Sequence, residues 1–509
     1  MYLLNSAMIS EIDNYASSFL GIPTEALMHK AARAVEREVR AAAKKQSSVL
    51  ILAGKGNNGG DGYALATLLK SDYRVTVVDV FSAGQRSEAG RYYLEKYKSM
   101  GGEIIDGKAF AFADYLFVDV VVDAIFGTGF KGEIPECLEE AVKLLHFVPA
   151  YKIAVDVPLG VDADTGEVND EFSYTADLTV SLSYIKKGLM SYPAKKSVGR
   201  LINDNLSLPN HLLEREFSFD SYGLDDGEVK KILPKREDNS NKGSFGKVLI
   251  VTGSEQYRGA AHLSLEAALR AGCGIVYFVG EDGLCAELRQ KLPEAIYRSV
   301  EKRSVADIAE VISLSKSASS VLVGSGSGKD PWLFELITEL LSEEGCPLIL
   351  DADAINLLSE RAEGLFILKH KKRQVILTPH PLEFARLLDK EVSYVQNHRL
   401  PLALDFAKEY GVTLVLKGAA TVVTDGEKIF INTSGSSALA KGGSGDVLAG
   451  AIASLSSFCE PLYAAAAMVY LHGKAADSLS ESLSEFSVIP SDLPKEIGRQ
   501  IKLLYNEEK

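Results

Sequence analysis

The chain has 509 residues, 46% hydrophobic and 24% charged, which is the composition of a soluble globular protein too long for one ordinary core. An excess of 69 acidic over 55 basic residues gives a net charge of −14, which argues against a nucleic-acid-coating role or an anionic membrane partner. Cys137, Cys273, Cys285, Cys346 and Cys459 stand far apart, and no apolar stretch approaches the roughly 20 residues of a membrane helix, so a reduced, cytoplasmic protein of two or three domains is expected.

Residues 8–43 have a helical pattern in which Ile9, Ile12, Ala16 and Phe19 share one face and Thr24, after Pro23, is placed to cap a second helix. The period then changes. Residues 49–53 form a short apolar run of the buried parallel-strand type, followed by GKGNNGGDG and a helical segment at 63–70. Gly54, Gly56 and Gly59 formally satisfy G-x-G-x-x-G, and Asp79 closes the next strand, 74–80, about 20 residues on, as the dinucleotide fingerprint asks. A nicotinamide dehydrogenase is therefore the first reading. Asn57, Asn58 and Asp61 nevertheless put three polar side chains where redox sites of this kind mostly use bare backbone, so the loop reads as built to coordinate something.

Two further strands follow, one at 118–123 running into AIFGTGFKG and one at 152–157 running into PLGVDADTG. Asp61, Asp123 and Asp156 then all fall at strand ends. A single acid there is more often a cap or turn residue, but in a doubly wound parallel sheet the three loops gather at the carboxyl edge, where such folds bind ligands.

The segments GKGNNGGDG, VVDAIFGTGFKG and DVPLGVDADTG resemble the NAD(P)H-hydrate epimerase domain over residues 1–210. The resemblance implies a potassium ion held near Asn58 and Asp123. It also implies a substrate pocket lined by Asn57, Asn58, Gly59, Gly60, Asp61, Gly127, Thr128, Gly129, Phe130, Lys131, Gly132 and Glu133, with Asp156 as acid–base group and Lys131 near the phosphates. Leu159 stands where the family usually has Ser, so this third potassium ligand is left with a backbone carbonyl. The chemistry fits one carboxylate, because a hydroxyl on C6, next to the ring nitrogen, can leave and return through an iminium-like species.

Residues 203–243 shift to polar and charged composition, and the domains are expected at 1–214 and 215–509. The second half repeats the strand-then-loop pattern at 248–251, 274–280, 320–323, 348–350, 375–377 and 413–416, with an alanine-rich helix at 259–271 and a hairpin turn at Asp425-Gly426. GSGSGKD is no P-loop, since Asp330 follows Lys329 where a Ser or Thr is needed. His380 lies between two prolines, and Lys417 ends a strand; each is either structural or a ligand contact. KGGSGDVLAG delivers Asp446 to a helix at 447–455. It is either a turn before a buried helix or an anion cradle carrying a magnesium ligand or base.

GSGSG, DADAINLL, TPHP, KGAAT and KGGSGDVLAG resemble the ADP- or ATP-dependent NAD(P)H-hydrate dehydratases, of ribokinase-like fold, over residues 222–505. The resemblance implies Ala260, Gly326, His380 and Asp446 at the hydrated substrate, and Lys417, Gly418, Ala419, Ala420, Thr421 and Gly445 at the nucleotide, with ADP as co-substrate and magnesium. Asn241 and Leu382 replace a usual His and Gly. The expected architecture is thus α/β, an N-terminal Rossmann-like doubly wound domain followed by a ribokinase-like domain. The expected function is repair of hydrated NADH and NADPH by epimerisation and ADP-driven dehydration, in a homo-oligomer. Two rivals stand beside it, a small-alcohol kinase of ribokinase type and a nucleotide-binding sensor without turnover.

Overall fold

The structure, a computed structural model, describes residues 1–82, 86–130, 135–300 and 304–506. The chain forms two compact units, residues 2–221 and residues 222–509 together with Met1. Among the described residues no helix is long and apolar enough to cross a membrane.

In the first unit seven parallel strands form one sheet: β1 (Ser48–Ala53), β2 (Arg74–Asp79), β3 (Glu103–Asp106), β4 (Val120–Ala124), β5 (Tyr151–Val155), β6 (Leu178–Leu182) and β7 (Arg200–Asp204), in the order β3-β2-β1-β4-β5-β6-β7. The strand order reverses between β1 and β4, so the crevice outside their carboxyl ends is where a doubly wound sheet takes a ligand. Register aligns those ends, because Ala53 pairs with Asp79 on one side and Ala124 on the other. The central strands are buried on both faces, as their continuous Val and Ile content requires.

Several boundaries differ from the sequence expectation. The segment 8–43 is two helices, Ser6–Ser18 and Thr24–Ala42; Pro23 occupies the cap position and Thr24 is the first helical residue. Phe19 lies beyond the first helix and is exposed, although Ile9, Ile12 and Ala16 are buried. The expected loop 57–62 is the beginning of the helix Asn57–Leu69. Its glycines are set by packing: a Cβ on Gly59 would meet the Gly54 carbonyl oxygen at 1.9 Å, and one on Gly60 would meet Met28 Cε at 2.4 Å. Close approach of helix to strand end and to a neighbouring helix therefore outweighs the poor helix propensity of glycine, about 1 kcal/mol per residue.

The second unit is built on a ten-stranded sheet. Its strands are β8 (Ser221–Gly223), β9 (Lys247–Val251), β10 (Ile275–Gly280), β11 (Ile296–Ser299), β12 (Ser320–Val323), β13 (Leu348–Leu350), β14 (Val375–Leu377), β15 (Thr413–Leu416), β16 (Val422–Thr424) and β17 (Ile429–Ile431). The order is β8-β17-β16-β15-β14-β13-β12-β9-β10-β11, parallel from β15 to β11, with β15, β16 and β17 antiparallel. The β16–β17 hairpin turns at Asp425, whose side chain accepts from the Glu427 and Lys428 amides at 3.0 and 2.8 Å. Helix Arg258–Ala271, ended by Gly272 in the left-handed region, packs on helix Ser444–Leu455. Their backbones nearly touch, since a Cβ on Gly450 would lie 2.1 Å from the Ser264 carbonyl oxygen. This second helix begins three residues earlier than expected, so Asp446 belongs to its first turn.

Candidate active sites

In the first unit the reversal point opens into a cavity of about 490 Å³. Of the residues named from sequence, Asn57, Asn58, Asp61, Gly127, Thr128, Gly129 and Asp156 line it. Gly59 and Gly60 instead face the packing contacts described above, and Phe130 is buried against Phe126 at 5.4 Å between ring centres. Lys131, Gly132 and Glu133 lie outside the described residues.

Asp156 follows β5 with φ of +71°, a left-handed conformation uncommon for a residue with a Cβ and one that clusters at functional sites. Its backbone N–H donates to the Val180 carbonyl at 2.8 Å. The Leu182 N–H donates to its Oδ1 at 3.0 Å, and the buried Lys186 ammonium donates to the same oxygen and to the Leu182 carbonyl at 2.7 Å. The other carboxylate oxygen faces Gly127, where a Cβ would stand 3.1 Å away. One oxygen is thus fixed by donors and the other is presented to the cavity. Asp61, buried in its helix, has its carboxyl pushed well above the usual range by burial and then by Asp156 and Asp13. Asp13, on helix Ser6–Ser18, is pushed up to about 6 by burial, with Lys186 pulling down and Asp156 pushing up. Sequence reasoning missed both Asp13 and Lys186. Asp13 reads as the polar face of an amphipathic helix and Lys186 as an ordinary lysine, and neither belongs to a glycine-bearing loop.

The potassium expectation rests on Asn58, Asp123 and Leu159. Asn58 donates to the Phe126 and Val155 carbonyls at 2.7 and 3.1 Å, and its buried Oδ1 has no partner. An orphaned buried oxygen of this kind suits a cation. Asp123 is not in a loop but is the fourth residue of β4, fully buried, and accepts from the Ile125 and Leu159 amides and the Tyr174 hydroxyl at 3.1, 2.8 and 3.0 Å. Burial raises its carboxyl to about 6 in spite of these donors. Three of its roughly four lone-pair directions are taken, leaving one for an ion. The Leu159 side chain packs into the apolar cluster with Leu50, Leu52 and Ile125 and brings no oxygen.

In the second unit the strand ends converge on Asp351, the residue after β13. This buried carboxylate accepts from Thr378 Oγ1 at 2.6 Å, Ser325 Oγ at 2.8 Å and Lys417 Nζ at 3.0 Å, tying together the loops after β12, β14 and β15. Gly326, with φ of +61°, lies against helix Arg258–Ala271, and a Cβ there would meet Ala260 Cβ at 2.8 Å. Gly445 abuts Lys417, whose ammonium would lie 3.3 Å from a Cβ at that position. Burial lowers the Lys417 value, but Asp351, Glu383 and Asp446 outweigh it and the net shift is upward, so the ammonium stays charged.

Asp446 makes no hydrogen bond or ion pair among the described residues, and burial, then Asp351, raise its carboxyl to about 7. His380 caps helix Pro381–Leu388: its Nδ1 accepts from the Leu382 and Glu383 amides at 3.2 and 3.3 Å, and Nε2 lies 3.3 Å from Glu383 Oε1. Burial and then Lys417 lower its pKa, keeping the ring neutral with the proton on Nε2. Gly418 and Ala419 are exposed, and Ala420 takes φ of +53°. Thr421 Oγ1 donates to the Gly418 carbonyl at 2.8 Å, closing the loop. Beneath it the buried Arg399 donates to the Leu416 and Lys417 carbonyls at 3.0 and 3.2 Å. The site thus joins a free carboxylate, a fixed ammonium and a helix N-terminus, a set suited to phosphoryl chemistry. Asp351, Glu383 and Arg399 were given no role from sequence: Asp351 opens the quoted motif DADAINLL but nothing local shows what it binds, Glu383 follows TPHP, which was read for His380, and no local motif surrounds Arg399.

Comparison with known proteins agrees with this division. Residues 24–188 match the family model of the YjeF-related protein N-terminus, and residues 248–499 match that of NAD(P)H-hydrate dehydratase. The bifunctional NAD(P)H-hydrate repair enzyme of Moorella thermoacetica is 34% identical over 97% of this chain and 95% of its own length, and that of Escherichia coli is 32% identical over 94% and 90%. Among solved structures, a ribokinase-like superfamily protein from Enterococcus faecalis aligns with a TM-score of 0.50 at 26% identity, covering 56% of this chain and 96% of that one. An ADP/ATP-dependent NAD(P)H-hydrate dehydratase from Bacillus subtilis, co-crystallised with ATP and magnesium, aligns with a TM-score of 0.50 at 29% identity, covering 55% and 97%. With both halves matched in order and nearly the whole length shared, the chain belongs to the family of bifunctional NAD(P)H-hydrate repair enzymes, an epimerase domain fused to a dehydratase domain.

Proposed function

We propose that the first unit interconverts the R and S forms of hydrated NADH and NADPH at Asp156, and that the second dehydrates the S form at Asp446 with ADP as phosphoryl donor. The observation that carries the reading is the Asp446 carboxylate, unpaired at a helix N-terminus beside Lys417 and near neutrality in its proton affinity. A base with a pKa close to the working pH takes the proton of the C6 hydroxyl most effectively. The hydroxyl oxygen attacks the terminal phosphorus of ADP, with Lys417 and the first-turn amides around Gly445 stabilising the anionic oxygens. Phosphate then leaves C6 as the ring-nitrogen lone pair pushes in, and loss of the ring proton restores the reduced nicotinamide, with AMP as the other product.

Two metals accompany this reading. Asn58, whose Oδ1 is unpartnered, and Asp123, with the backbone carbonyl of Leu159, would hold potassium, which would supply positive charge beside the buried carboxylate. Magnesium would be held through nucleotide phosphates and water near Asp446, since among the described residues no three His, Cys, Asp or Glu side chains are arranged to hold an ion themselves. A mixture of both hydrated NADH epimers, given to the full chain with ADP and magnesium, is expected to return all of its reduced-ring absorbance. Return of none sinks the dehydratase reading, and return of the S fraction alone sinks the epimerase reading.

A further inference from the structure

Four titratable side chains from four elements share the cavity of the first unit: Asp13 on helix Ser6–Ser18, Asp61 on helix Asn57–Leu69, Asp156 after β5, and Lys186 on the short strand Ile185–Lys186. Lys55 also lines it. The Lys186 ammonium is committed to Asp156 and to the Leu182 carbonyl, so Asp13 and Asp61 are left without a hydrogen-bonding partner among the described residues. Buried Asn58 Oδ1 and Ser183 Oγ on the same lining are unpartnered too, which marks the cavity as built for a polar ligand. The two remaining acids differ in access. Asp61 is nine-tenths buried in its helix, whereas Asp13 is half-buried and open to the cavity.

We propose that Asp13 is a second catalytic residue of the epimerisation, serving one face of the C6 carbon while Asp156 serves the other. This rests on the epimerase reading of the first unit. Protonated Asp13 gives its proton to the C6 hydroxyl. The C6–O bond breaks with its electron pair on the departing water, and the ring-nitrogen lone pair forms the C=N bond of an iminium. A water molecule adds to the opposite face, its oxygen bonding C6 as the C=N pair returns to nitrogen, and Asp156 takes the proton released. The reverse direction exchanges the two roles, and proton exchange with solvent resets the pair. The division of labour matches the environments. Asp13, raised to about 6 by burial, with Lys186 pulling down and Asp156 pushing up, passes between both forms near that pH, whereas burial holds the Asp61 carboxyl well above the usual carboxylate range.

The test uses the full chain and chromatographic separation of the two epimers of hydrated NADH. Asp13→Asn is expected to lower kcat for interconversion by about 100-fold or more, the range for one acid–base group. KM should stay within about threefold, and the limb of the pH–rate profile near 6 should disappear. Asp13→Glu restores part of the rate and the limb. ADP-dependent dehydration of the purified S form reports that the second unit is intact, and a denaturant-unfolding midpoint of the first unit equal to the parent's reports that each variant is folded around position 13. A kcat for Asp13→Asn within about threefold of the parent overturns the assignment, as does a large loss in which the limb persists and Glu gives no rescue. A parent chain that does not interconvert the epimers overturns the epimerase reading and the assignment with it.

Discussion

Asp446→Asn separates catalysis from stability in opposite directions. The carboxyl stands at about 7 rather than 3.8, raised by burial first and then by Asp351 and Asp353 against the pull of Lys417. A shift of about three units at about 1.4 kcal/mol each bounds the effect at roughly 4 kcal/mol, and partial solvent access reduces it to about 1–2 kcal/mol. The folded-state value lies above the unfolded one, so the favourable contribution of the protonated group is complete below about pH 4 and is lost as pH rises through about 7. At pH 8 the parent chain therefore carries a poorly solvated charge that the amide lacks. The variant is expected to melt about 2–6 °C higher at pH 8 and within about a degree of the parent at pH 4. Its nucleotide-dependent dehydration is expected to fall by about 10²–10⁴, equivalent to about 3–5 kcal/mol of barrier, followed by recovery of the reduced-ring absorbance from the S form and ADP. In the parent, kcat rises with pH and levels off above about 7. Dehydration by the variant within about tenfold of the parent, or a parent kcat that is flat from pH 5 to 8, refutes Asp446 as the base.

Three further outcomes test the sites and the packing behind them. Lys186→Met strands the Asp156 carboxylate without its ammonium; it should cost the first unit about 3–5 kcal/mol in denaturant unfolding and suppress epimerisation while dehydration of the S form continues. Gly59→Ala places a Cβ 1.9 Å from the Gly54 carbonyl oxygen, and the strain, about 3 kcal/mol, exceeds the gain in helix propensity of about 1 kcal/mol, so the midpoint should drop despite a better helix former. Arg399→Met removes the donors that hold the Leu416 and Lys417 carbonyls; KM for ADP should rise by about tenfold or more with a smaller change in kcat, whereas an unchanged KM shows that the loop holds itself.

The sequence by itself determined where the strands run and which loops follow them. Short Val, Ile and Leu runs with no alternation suit strands buried on both faces, and most of these runs are followed within three residues by a glycine, proline or acid that breaks the pattern. The motifs around Asn58, Asp156, Lys417 and Asp446 were legible for the same reason. Local sequence was less informative where glycine had two uses. Residues 57–62 and 444–446 read as loops because glycine disfavours helix, yet both are first turns of helices; a missing Cβ admits the Gly54 carbonyl at Gly59 and the close approach of the Lys417 ammonium at Gly445.

Tertiary structure alone decided the groups that give each site its chemistry. Asp13, Lys186 and Arg399 have no motif of their own, and Asp351 opens DADAINLL without a role that the motif reveals; the first two share the cavity of Asp156, and Arg399 and Asp351 meet Lys417, only after segments distant in the chain are brought to one sheet edge. The proton affinities of Asp13, Asp61 and Asp446 likewise come from burial and neighbouring charge, which depend on the packed fold and not on the residue type.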